Sequence, residues 1–141
     1  MTRTGLYFED LTIGQSAELS HVVTDADIRG FAAISGDDNP VHLDAEYAAN
    51  TQFKERIAHG ILTASFVSAL IGTKLPGPGS IYVSQTLSFK RPVKLGDEVH
   101  AKVEIKALDA GKARVTLACF CSVRGKSVLE GEAVAMAPRR S

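Results

Sequence analysis

The polar and apolar positions of this chain change character near residue 80. Downstream, apolar residues alternate with polar ones as in strands; upstream, they recur mostly at the three- and four-residue spacing of a helix face. Ala17 to Val23 is an early exception that alternates loosely as a strand. Thr24, with Asp27 three residues on, resembles a capping box and predicts a helix through about Ile34, its apolar face made of Ile28, Phe31, Ala32 and Ile34. A short second helix is predicted from Asp44 to Asn50, capped by Asp44 and turning Tyr47 and Ala48 inward. Gly60 to Leu75 is the longest predicted helix. Ile61, Leu62, Phe66, Val67, Ala69, Leu70 and Ile71 make it apolar around much of its circumference, which predicts burial.

Pro76-Gly77-Pro78-Gly79 stops that helix, since proline lacks the N–H that a helix needs. Four strand-like runs follow: Ser80 to Lys90, Glu98 to Leu108, Ala113 to Val123 and Lys126 to Met136. Turn residues separate them, and Arg124-Gly125 suggests a two-residue hairpin. The expected architecture is α+β: a long helix, then a four-stranded antiparallel meander, with the first strand pairing late to close the sheet. Only Arg139-Arg140-Ser141 reads as a frayed tail.

A length of 141 residues suits one domain, 1–141, able to bury roughly two thirds of its unfolded surface. Apolar residues at 45% and charged ones at 23% argue for a folded chain over a disordered one. Sixteen basic residues balance sixteen acidic ones, so there is no general drive toward nucleic acid or an anionic membrane. The apolar stretch Ile61 to Ile71 falls well short of the roughly 20 residues that span a bilayer. Met1 to Asp10 has no apolar core behind its single arginine, so no secretory signal is expected and the chain reads as cytoplasmic. Cys119 and Cys121 share one strand face and are expected as buried, reduced thiols. His21 and His100 fall in predicted strands, and no His/Cys/Asp spacing resembles a metal site; neither metal nor cofactor is expected.

Candidate chemistry concentrates in Ser35-Gly36-Asp37-Asp38-Asn39-Pro40-Val41-His42. Five residues do not stack two side chains on one helix face, so Asp37 and His42 converge only where the chain curls. This segment curls: Gly36 tolerates positive φ, Asn39 closes an Asx-turn, and Pro40 pushes the residue before it out of the helical region. The pair reads as an acid/base site. Ile57-Ala58-His59-Gly60 then leads into the long helix, where the bare N–H of Gly60 and the helix dipole suit an anion or oxyanion. His59 reads as a helix-capping or packing residue.

With that order in place, the chain resembles the MaoC-like (R)-specific enoyl-CoA hydratases. The resemblance rests on Ser-Gly-Asp-x-Asn-Pro-x-His at Ser35 to His42 and on Ala58-His59-Gly60 opening the long helix. Leu75 to Tyr82 and Leu87 to Val93 also look like the short members that supply monomers for polyhydroxyalkanoate synthesis. The resemblance implies a single hot-dog fold, a curved antiparallel sheet around a central helix, and a homodimer. It implies Asp37 and His42 as catalytic pair, Gly60 as oxyanion site, Asn39 as supporting turn residue and Ser68 as a hydroxyl near the site. The expected reaction is hydration of a trans-2-enoyl-CoA to the (R)-3-hydroxyacyl-CoA, with Phe31, Ile34, Leu62 and Phe66 as candidates for the acyl pocket. Alternatives are dehydration of a 3-hydroxyacyl carrier protein, an acyl-CoA thioesterase and a non-catalytic acyl-CoA-binding module. In a neutral chain the phosphates of coenzyme A need a local cationic rim, for which Lys54, Lys90, Arg91 and Lys94 are available but not assigned.

Overall fold

The computed structural model describes residues 5–140. The start of the Met1–Asp10 segment and the last residue of the predicted tail lie outside that range. After a 3₁₀ turn at Phe8–Asp10, β1 spans Ser16–Val22 and α1 Asp25–Ser35. Two short helices follow, α2 at Pro40–Leu43 and α3 at Ala45–Ala49. The long helix α4 covers Gly60–Thr73, and β2 (Ile81–Phe89), β3 (Glu98–Asp109), β4 (Arg114–Val123) and β5 (Lys126–Met136) complete the fold.

Local signals account for most element ends. Thr24 Oγ1 accepts from the Asp27 N–H at 3.1 Å while Asp27 Oδ2 accepts from the Thr24 N–H at 3.0 Å, the reciprocal pair expected of a capping box. Asp44 caps α3 through the N–H groups of Glu46 and Tyr47. β4 and β5 join through Arg124 and Gly125, both at positive φ as a tight hairpin of this hand requires.

The sheet departs from the expected meander. Its order is β1-β3-β4-β5-β2, antiparallel throughout, so β2 pairs with β5 at the far edge and β1 pairs with β3. The sheet keeps two edges and is not closed by β1. Alternation alone says nothing about which neighbour a strand takes, and here the connection after β2 decides. Ala58 N–H donates to the Val93 carbonyl at 2.7 Å and Ile57 bridges Lys94, which carries the chain past the start of α4 before β3 begins.

α4 packs against all five strands, and register shifts in three of the four ladders add the curvature that wraps the sheet round it. Leu62, Phe66, Val67, Leu70 and Ile71 meet Val99 to Ile105 of β3, Val115 to Cys121 of β4 and Leu129 to Ala135 of β5 in one core. Both thiols lie in it, and burial pushes Cys121 up to about 12. No helix among the described residues is long and apolar enough to cross a membrane.

Several side chains differ from expectation. α4 is covered on one side only: Ile61, Ser65, Ser68 and Ala69 face outward, with Ile61 54% exposed. Ile34 is 86% exposed, because it lies about 120° round the helix from Ile28, beyond the face that α1 buries. Tyr47 is exposed while Ala48 is buried. The C-terminal arginines are tied down: the Arg140 backbone N–H bonds Glu9 at 2.8 Å, its guanidinium bonds Asp10 at 2.6 Å, and Arg139 lies over the Phe8 ring.

Candidate active site

The curl between Asp37 and His42 is built from consecutive side-chain-to-backbone bonds. Gly36 ends α1 at φ 81°, in the left-handed region. Ser35 Oγ accepts from the Asp37 N–H at 3.1 Å, Asp37 Oδ1 from the Asn39 N–H at 3.3 Å, and Asn39 Oδ1 from the Val41 N–H at 3.2 Å. Asn39 thereby caps α2, with Pro40 in its first turn. That single helical turn delivers His42 inward, to 8% exposure, while Asp37 stays at the surface. Arg56 holds the turn from behind: its Nε donates to the His42 carbonyl at 2.6 Å and its Nη2 to Asp25 Oδ1 at 2.7 Å.

His42 Nδ1 lies 2.7 Å from the Ile57 carbonyl. A carbonyl only accepts, so Nδ1 carries the hydrogen and Nε2 of the neutral ring presents its lone pair. Burial lowers the His42 pKa below its ordinary value; the Ile57 bond and the Asp37 charge pull it upward, and His59 adds to the lowering. The ring is thus held as a neutral base with a defined tautomer.

Of the two roles expected of His59, packing is the one the structure shows. It occupies the N-cap position of α4, but its side chain makes no capping bond. Its ring stacks on His42 with centroids 3.9 Å apart and planes 28° from parallel, and Phe31 covers it at 4.8 Å. Its Nε2–H donates to the Asp37 carbonyl at 2.9 Å, while Nδ1 is buried with no hydrogen-bond partner among the described residues. One residue before Gly60 therefore touches both members of the pair. A carboxylate oxygen of Asp37 and a ring nitrogen of each histidine lie within 4.8 Å of one another.

Gly60 opens α4, where the first N–H groups have no intrahelical acceptor. A Cβ at this position would lie 2.7 Å from the Phe89 ring, which would have to move aside for any larger residue. Gly60 borders a cavity of about 440 Å³ lined chiefly by Phe53, Ile57, Ile61, Phe89, Val93 and Val128. Thr63 also lines it, with a buried hydroxyl that has no hydrogen-bond partner among the described residues. Asp37 and His42 do not line this cavity; Gly60 and the Ile57 segment connect it to them. Leu62 and Phe66 belong to the core, and none of the four residues expected round an acyl chain borders the cavity.

Ser68 does not join the cluster in this chain. It is exposed on the outer side of α4, eight residues beyond Gly60 or roughly 12 Å of helix rise. Among the described residues its hydroxyl bonds neither Asp37, His42 nor Asn39. The groups that the motif did not flag are Arg56 and the Ile57 carbonyl, together with the stacking of His59 on His42. His59 itself stands in the motif, directly before the glycine.

The curved sheet around α4, with an Asp/His turn at the helix mouth, defines a hot-dog protein of the water-adding type. Residues 10–119 match the MaoC-like domain family, and the chain belongs to it. It is 52% identical to the (R)-specific enoyl-CoA hydratase of Rhodospirillum rubrum over 95% of this chain and 93% of that protein. It is 50% identical to the 3-hydroxybutyryl-CoA dehydratase of Methylorubrum extorquens, over 96% and 86% respectively. The unliganded (R)-hydratase of Pseudomonas aeruginosa superposes with a TM-score of 0.91 at 49% identity, over 96% of this chain and 88% of that one.

Proposed function

We propose that this protein is an (R)-specific enoyl-CoA hydratase. The observation that carries the reading is the neutral Nε2 of His42, set by the Ile57 carbonyl, beside the Asp37 carboxylate at the mouth of α4. His42 takes a proton from a water held between the two side chains, and the hydroxide adds to C3. The C2–C3 electron pair moves onto the thioester oxygen, which the Gly60 N–H meets. The proton then passes from the same pair to C2 on the same face, which restores both groups. Read backwards, the same steps eliminate water from a 3-hydroxyacyl thioester. His59 supports the pair by holding the Asp37 backbone and the His42 ring face, and Asn39 supports it by capping the turn.

The working unit in this reading is a homodimer. The edge strand β2 presents Ile81, Tyr82, Val83 and Phe89 to solvent, close to the exposed side of α4. A long uncharged apolar edge is what a second sheet pairs with. Two buried reduced thiols fit a cytoplasmic setting.

Mixing the protein with crotonyl-CoA, following loss of enoyl-thioester absorbance and identifying the product's stereochemistry tests the activity. (R)-3-hydroxybutyryl-CoA is the expected product. Release of free CoA thiol would assign a thioesterase, and turnover confined to carrier-protein thioesters would assign the dehydratase of that pathway. Sedimentation of wild type and Val83→Lys tests the assembly, with the variant expected to move toward monomer.

A further inference from the structure

The cavity beside Gly60 continues into a second hollow of about 280 Å³, the two sharing Arg91, Pro92 and Val128. Their walls differ in kind. The first is mostly apolar, whereas the second adds Arg124 and Lys126 from the β4–β5 hairpin to the shared Arg91. Its one carboxylate, Asp97, is buried and already engaged, accepting from Arg124 at 3.0 Å and from the Lys94 backbone N–H at 2.8 Å. Arg91 spends one guanidinium nitrogen on the Ser127 carbonyl at 2.7 Å. Among the described residues Lys126 has no ion-pair partner. Three cations against one committed carboxylate stand out on a chain whose formal charge is zero, so the local excess is not a sample of a basic surface.

We propose that the hollow bounded by Arg91, Arg124 and Lys126 holds the phosphates of coenzyme A, with the pantetheine arm lying along the apolar cavity to bring the thioester to Gly60. The proposal rests on the hydratase reading for its ligand. Phosphate oxygens match what these walls offer, two guanidinium forks and an ammonium that keep spare donors. The arm between phosphates and thioester is neutral, as is most of the cavity it would cross. The arrangement also divides recognition between regions: the Ser35–Gly60 segment meets the reacting atoms, and a hairpin turn far along the chain meets the carrier end of the substrate.

The test compares crotonyl-CoA with crotonyl-N-acetylcysteamine, which carries the thioester without phosphates. In Lys126→Glu, KM for crotonyl-CoA rises about tenfold, as expected for replacing a charge-assisted phosphate contact with a repulsion. The ratio of kcat/KM between the two substrates falls by the same factor, and the difference shrinks at high salt. Calorimetry with adenosine 3′,5′-bisphosphate reads the site without turnover: wild type binds and Lys126→Glu binds about tenfold more weakly. Arg91→Gln is a second variant with the same expectation and no reversed charge. Equal losses on both thioesters, or wild-type indifference to the bisphosphate, would overturn the site. So would a larger loss on a crotonyl carrier-protein thioester than on crotonyl-CoA, which would make the hairpin a protein-docking surface. Failure of wild type to hydrate either thioester while still binding the bisphosphate would overturn the hydratase reading and keep the site.

Discussion

The Ser35–Gly60 segment and the β3–β4–β5 sheet hold their shapes by opposite means. In the segment, short bonds between near neighbours set the backbone: Ser35 to Asp37, Asp37 to Asn39, Asn39 to Val41. In the sheet, Val103, Ile105, Val115, Leu117 and Leu129 are fully buried against α4, and the stabilisation comes from apolar area removed from water. The first arrangement leaves polar groups near solvent, able to hold water and substrate. The second turns apolar side chains toward α4 and keeps its charged ones, such as Lys102, Lys106 and Glu130, on the outer face, and contributes rigidity. His42 joins the two, since its backbone belongs to the turn while its ring is buried on His59 at the start of α4. The division implies that chemistry and stability are separable by mutation.

The largest effect belongs to the site. Asp37→Asn or His42→Ala lowers hydration of crotonyl-CoA by about 100- to 10,000-fold, the usual range for lost acid/base catalysis; the melting temperature changes little in the exposed Asp37→Asn, and falls in His42→Ala, which also empties a buried ring site and unpairs the Ile57 carbonyl. Retention of near-full activity in either variant removes the assignment. The reciprocal test is Leu117→Ala, which costs roughly 2–5 kcal/mol in denaturant unfolding through the cavity it leaves, with kcat per folded molecule unchanged. A fall in kcat there would mean the sheet tunes the site directly.

Asn39→Ala tests the boundary between the regions. Loss of the cap of α2 costs about 0.5–2 kcal/mol, and His42 loses its seat, so kcat falls as well; Asn39→Asp keeps the acceptor and restores most of both. His59→Leu removes the stacked ring and the bond to the Asp37 carbonyl, and lowers kcat with little change in KM. Rescue of kcat by His59→Gln, which keeps an N–H donor, separates the bond from the stacking.

The smallest effect is a pH dependence. His42 is lowered by burial, so on acidification the unfolded chain takes up a proton near the ordinary histidine value, about 6.5, before the folded chain does. Stability therefore falls as pH drops through that value and levels off below the folded pKa. The acid limb of kcat/KM lies below about 6.5 for the same reason, and His42→Gln abolishes the stability slope. Paired unfolding and rate profiles between about pH 5 and 7 measure both; an acid limb above 6.5 would contradict a buried neutral base.

What local chemistry controls was legible in the chain itself. Thr24 and Asp27 cap α1, Asp44 caps α3, Arg124-Gly125 turns the hairpin, and Gly36 to Pro40 curl Asp37 toward His42, because each depends on residues two to four apart. The motif and its family, and with them the hot-dog fold, followed from the same stretches. Tertiary structure alone decided the rest. β2 went to β5 instead of β3, since period-two alternation is the same whichever neighbour a strand takes. Half of α4 was left uncovered although its outer face carries apolar residues, because the sheet reaches only one side of it. The tautomer of His42 came from a carbonyl fifteen residues away, and His59 joined the site by stacking across separate elements. Arg124 and Lys126 came beside Arg91 only when the β4–β5 turn folded against the strand connection. Such juxtapositions depend on packing between distant segments, and periodicity along a chain carries no record of them.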